Sequence, residues 1–129
     1  MTSVTVEVSV GELIDKLTIL EIKTERIDDP GKLANLRAEL DALYSARDAH
    51  VEPSPELDAL TGELKAINEA LWDIENGVRE HERSREFNSR FIELVRAVYL
   101  NNDKRSAIKR RINALTGSRL VEEKLYSEY

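Results

Sequence analysis

Residues 87–115 read FNSRFIELVRAVYLNNDKRSAIKRRINAL, and this stretch decides the fold. Its larger side chains fall at Phe87, Phe91, Leu94, Val98, Asn101, Arg105, Ile108, Ile112 and Leu115. The steps alternate four and three residues without a slip. That is the seam of a helix packed lengthwise on another helix, in coiled-coil fashion. Asn101 and Arg105 interrupt the apolar seam near its middle, and the basic residues Lys104, Lys109, Arg110 and Arg111 crowd around the break.

A second stretch keeps the same rhythm. Leu57, Leu60, Leu64, Ile67, Leu71, Ile74 and Val78 step by three and four after Ser54 and Pro55, which cap and open a helix over residues 55–82. Twenty-eight residues make a rod of ~42 Å at ~1.5 Å per residue. The turn near Ser84 joins it to the last helix, residues 87–115, so the two should form a long antiparallel hairpin. Gly117 is placed to end the last helix, and residues 118–129 are left as a tail.

Two shorter helices precede the hairpin. Ser9 and Glu12 fit a capping box for a helix over residues 10–27, apolar on more than one side and therefore central. Asp29 and Pro30 start the next, residues 30–49, with Leu33, Leu36, Leu40 and Leu43 as its stripe. Val4, Val6 and Val8 alternate with polar residues, which predicts a short strand over residues 2–8. A lone strand needs a partner for its backbone, either the tail near Leu120 or a second copy of the chain. The expected architecture is a single all-α domain over residues 1–129, four main helices in antiparallel bundle packing, with one N-terminal strand. Long seams left partly uncovered predict a homodimer.

Composition bounds the function. Charged residues make up 34% of the 129, with no cysteine, so disulfides and thiolate metal sites are excluded. No cofactor is expected. The net charge of −6 argues against wholesale nucleic-acid binding. No apolar run suits a membrane span or a secretory signal, and the expected location is the cytoplasm. There is no Gly-x-Ser-x-Gly nucleophile and no glycine-rich phosphate loop.

The pieces Gly11 to Lys23, Ile67-Asn68 with Leu71-Trp72 and Ile74-Glu75, Phe87-Asn88 with Phe91-Ile92, Val98-Tyr99 with Asn102-Asp103, Ile108-Lys109 with Ile112-Asn113, and Gly117-Ser118 with Glu122-Glu123-Lys124 resemble a bacterial family of small uncharacterised helical domains. The likeness covers nearly the whole chain. It implies no reaction and no catalytic residues. At most it implies a link to surface-polysaccharide and nucleotide-sugar metabolism.

Charge layout supplies the candidate site. Six Lys or Arg and no Asp or Glu lie between Lys104 and Arg119, leaving 13 basic against 25 acidic residues elsewhere. Arg105, Lys109 and Asn113 share a helix face at four-residue spacing. With Lys16, Tyr99 and Asn102 they make a candidate site for a small anion such as a sugar phosphate, a nucleotide sugar or a dicarboxylate. All-helical enzymes of the chorismate mutase kind hold dicarboxylates with such cations. The bland alternative is that the same side chains pair with acidic residues of the bundle. An Arg among apolar residues needs a carboxylate, and Asp15, Glu21 or Glu75 could supply it. A tail folded back would bring Glu122 and Glu123 onto Arg110 or Arg111 and cancel the anion site. Glu21, Glu25 and Asp28 hint at magnesium, but Asp73 and Glu75 do not share a face, so no matching acidic helix exists. His50 and His81 are single, and no metal site is expected. The leading expectation is an interaction or assembly module; the alternative is a binding protein or enzyme for a small anion.

Overall fold

A computed structural model describes residues 1–129. The fold is all-α. Four helices follow in order: α1 Val10–Arg26, α2 Pro30–His50, α3 Pro55–Ser84 and α4 Ser89–Thr116.

Each helix starts on a side chain that accepts from its first turn. Ser9 Oγ accepts from Glu12 N at 3.1 Å, Asp29 from Gly31 N at 2.9 Å, Ser54 from Leu57 N at 3.0 Å and Asn88 from Phe91 N at 3.0 Å. Pro30 and Pro55 occupy first positions, where a missing N–H costs nothing. α4 ends on Gly117 in the left-handed region at φ 67°, the conformation glycine adopts most cheaply. α3 ends the same way on Arg85 at φ 55° without a glycine. Its N–H, donating to Glu82 O, helps hold it there.

α3 and α4 form the hairpin, and α1 lies on it, touching all three other helices. Ile14, Leu17 and Leu20 of α1 meet Leu57, Leu60 and Leu64 of α3, Ile108 and Ile112 of α4, and Leu40 of α2 in one core. Leu64 and Ile112 have no measurable exposure, and Ile14 keeps 1%. Each such side chain contributes about 1.5–3 kcal/mol by leaving water. α1 is central because Ile22, off its main stripe, is buried as well.

α1 approaches α4 closely at Gly11. A Cβ there would stand 2.6 Å from the Lys109 carbonyl oxygen. The approach lets α4 complete the start of α1. Gly11 N donates to Asn113 Oδ1 at 2.6 Å, and Val10 N donates to Ser118 Oγ at 3.1 Å. With Glu12 N on Ser9 Oγ, the first three helical N–H groups are satisfied, and Leu13 N on Ser9 O makes the first intrahelical bond.

One expectation differs from the structure. Residues 2–8 form no strand. No other strand exists to pair with them, so their backbone faces water, and Val4, Val6 and Val8 stay exposed. Side-chain hydrogen bonds from Arg119 to Glu7 hold the segment beside the tail. The last helix runs unbroken through Asn101 and Asn102, as the seam over residues 87–115 predicts. Asn101 satisfies its amide within the helix by donating to Ala97 O at 2.8 Å.

Past α1 the hairpin continues as a two-helix arm. Leu94 packs on Gly77 at 3.1 Å from where a Cβ would lie, and Phe91 lies between Phe87 and His81, with ring centroids 5.2 and 6.2 Å away. Ile92 and Val95 remain exposed on the arm's α4. No helix of the chain is long and apolar enough to cross a membrane.

Candidate functional site

The polar centre of the fold is Asp15, 1% exposed inside the apolar face of α1. Arg105 of α4 grips it with one edge of its guanidinium, through two nitrogens. Nε donates to Oδ1 at 2.9 Å and the terminal Nη2 donates to Oδ2. This is the fork geometry that makes arginine suit a carboxylate. Asn68 of α3 donates to Asp15 Oδ1 and to Thr18 Oγ1, each at 2.9 Å, and Thr18 returns its proton to the Asp15 carbonyl at 2.7 Å. Three helices therefore meet on one carboxylate. No buried side-chain nitrogen or oxygen lacks a partner.

A second cation sits one turn along α4. Lys109 is 9% exposed. Its ammonium lies 2.7 Å from Glu12, 3.0 Å from Glu122 and 4.0 Å from Asp15. Burial works to lower its pKa, but the bonds to Glu12 and Glu122 and the charge of Asp15 together raise it. Arg105 is raised as well, first by its bond to Asp15. The bond from Lys109 holds the Glu122 carboxyl below the ordinary value of 4.5. Glu12 thus does not reach back to the cap as a capping box expects. It turns to a charged partner, the stronger bond.

The tail closes over this cluster. Glu122 meets Lys109, Glu123 meets Arg110, and Lys124 and the Tyr129 hydroxyl both donate to Asp103. Tyr129 also meets Tyr99 edge-on, centroids 5.3 Å apart. Between tail and α4 runs a cleft of about 710 Å³, lined by Tyr99, Asn102, Arg105, Lys109, Tyr126 and Tyr129 among others. A smaller cleft of about 380 Å³ adjoins it and reaches Asn113.

Of the six candidate residues, Tyr99, Asn102, Arg105 and Lys109 line the larger cleft. Asn102 accepts from Arg105 Nη1 at 3.4 Å. Asn113 spends its side-chain oxygen on Gly11. Lys16 lies apart, exposed and 3.2 Å from Glu39 of α2. The cluster includes three residues that sequence reasoning did not place in it, Glu12, Thr18 and Asn68; the tail was expected to fold back, and it does, with Glu123 on Arg110 but Glu122 on Lys109 rather than on Arg110 or Arg111. A polar residue flanking the α3 stripe was the available signal for Asn68; the tail offers no periodicity from which the exact partner of Glu122 could be read. Glu21 and Glu25, candidates for magnesium, share Lys65 at 3.9 and 2.6 Å. No group of three or more His, Asp or Glu side chains is arranged to hold a metal.

Comparison with curated proteins and with solved structures finds no match to this chain. A family model does match, over residues 4–128. The matched span holds every residue of the buried cluster, and the chain belongs to the family of unknown function DUF6165.

Proposed function

We propose that this protein is a homo-oligomeric assembly module whose contact surface is the outer face of the α3–α4 arm. The observation that carries this reading is the pair Ile92 and Val95, exposed by 57 and 39% near the Gly77–Leu94 contact, past the level of Asp73 and Trp72 where the last residue of α1, Arg26, meets α3. Two antiparallel helices alone bury only one face each, and a second hairpin completes a four-helix bundle. We take the partner to be a second copy because both signs of charge edge the apolar pair. Glu93, paired to Arg90 at 3.2 Å, and Arg96 flank Ile92 on the same side. A twofold axis between them sets each opposite its counterpart on the other copy.

Arg105 and Lys109 of the centre are both paired within the chain, to Asp15, Glu12 and Glu122, so the fold is complete without a ligand. Sedimentation equilibrium at micromolar concentration tests the reading. The expected mass is twice 14.7 kDa, falling to 14.7 kDa in the Ile92→Glu, Val95→Glu double variant with its helicity unchanged. A wild-type monomer across that range overturns it.

A further inference from the structure

We infer that the cleft between α4 and the tail is a binding site for a small hydroxylated ring compound carrying one carboxylate or phosphate, and that Glu122 occupies the anion position until such a ligand displaces it. This site is separate from the arm, so it stands or falls independently of pairing between copies.

The anion position is set by Lys109. An ammonium this deeply buried needs anions around it. Asp15 stands 4.0 Å away and is already gripped by Arg105, and Glu12 supplies one direct partner. Glu122 supplies the other, from a segment with no helix or strand of its own. The Glu122 side chain is 61% exposed, and its neighbours Leu125 and Tyr126 are 92 and 86% exposed. Ion pairs with a solvent-exposed carboxylate on the tail side and one edge contact, Tyr129 on Tyr99, hold the tail down, and pairs with so much solvent on one side are weak.

Charge counting makes the exchange competitive. Asp15, Glu12 and Glu122 carry three negative charges against two positive on Arg105 and Lys109. A carboxylate that replaced Glu122 would leave that balance unchanged, and a phosphate monoester, carrying about −1.5 to −2 at neutral pH, would add at most about one negative charge. An anion that entered beside Glu122 would add at least a second uncompensated negative charge. The ligand must therefore expel the Glu122 carboxylate.

The remaining lining defines the ligand's body. A volume of about 710 Å³ suits a small organic molecule rather than a bare ion. Tyr99 and Tyr129 offer ring faces, and Asn102 and Ser106 offer an amide and a hydroxyl for hydroxyl groups.

The test titrates the full chain, as wild type and as Glu122→Gln, with glucose 6-phosphate, glucuronate, inorganic phosphate and glucose by calorimetry. Removing the internal competitor should tighten glucose 6-phosphate or glucuronate by about fivefold. Inorganic phosphate should bind more weakly than either, and glucose should not bind. Whichever of the two ring anions binds more tightly assigns the class, phosphate or carboxylate. Lys109→Gln in the Glu122→Gln background should abolish binding. Should that variant fail to fold, Tyr99→Ala, at an exposed rim position outside the core, should weaken binding in its place. Equal affinities in wild type and Glu122→Gln, binding as tight for glucose as for the anions, unaltered binding in both lining variants, or no binding by either protein overturns the inference.

Discussion

Asp15 and Arg105, ninety positions apart in the chain, are joined by two parallel hydrogen bonds with the carboxylate 1% and the guanidinium 29% exposed. The pair fixes how α1 is rotated on the hairpin. Asn68 adds a bond from α3, so a different rotation would leave polar groups of three helices unsatisfied.

Arg105→Ala is therefore expected to destabilise the fold strongly. It leaves a buried carboxylate with Asn68 as its direct donor and Lys109 at 4.0 Å. The cost should be about 3 kcal/mol, at the low end for breaking a buried pair because Arg105 keeps some solvent. Thermal unfolding should drop by about 10 °C. Adding Asp15→Asn should recover part of that loss, and a double-mutant cycle measures the coupling. A drop of a degree or less for Arg105→Ala would show the pair to be incidental.

Two glycines should respond oppositely to alanine. At Gly11 the new methyl would stand 2.6 Å from the Lys109 carbonyl, a backbone atom that cannot swing away. Gly11→Ala should cost about 1–3 kcal/mol by forcing α1 off α4 and stretching the bond to Asn113. At Gly62, within α3, nothing lies within 4 Å. Gly62→Ala should stabilise by about 0.5–1 kcal/mol through helix propensity alone. Urea midpoints of both variants check the contrast.

The helices and their breaks were legible because local signals agree. Ser9, Asp29-Pro30 and Ser54-Pro55 punctuate the chain as caps do, and the three-four rhythm gives the hairpin both its seams. The polar centre was only half legible. Arg105 in a seam demands a carboxylate, but Asp15, Glu21 and Glu75 satisfy that demand equally well on paper. Which one serves depends on the rotation and axial position of α1, and these are set by Gly11 against Lys109 and by the apolar packing of α1 rather than by any local pattern. The strand misled because alternation records which side chains could share a face, not whether a neighbouring strand exists to receive the backbone.

Acid should release the tail. The folded Glu122 pKa lies below its ordinary 4.5, chiefly through the bond from Lys109. A depressed carboxyl adds stability that is complete above the unfolded value and lost as pH falls through the folded one. Lys109 is shifted upward, so its share is complete below 10.5 and lost as pH climbs through its folded value. Between those limits the contact holds. Amide heteronuclear NOE values for residues 122–129 should be higher at pH 6 than at pH 3. Glu122→Gln should be mobile at pH 6 already and change less with acid. Glu12 and Asp15 on α1 face the same ammonium, so helix signals from residues 10–26 serve as the internal reference.

Stability should also depend on protein concentration if the arms pair. A partner that binds only the folded chain raises the melting temperature by mass action. For a folded dimer melting to unfolded chains, a hundredfold increase in concentration contributes about 2.7 kcal/mol per dimer. For a chain of this size that is a rise of several degrees. The Ile92→Glu, Val95→Glu variant should lose the dependence, because charges placed at the apolar pair oppose a second apolar face. Its far-ultraviolet spectrum should stay helical, since the two side chains are exposed in the single chain and lie outside the core. Concentration-independent melting of the wild type over that hundredfold range would leave the exposed apolar pair without its second copy.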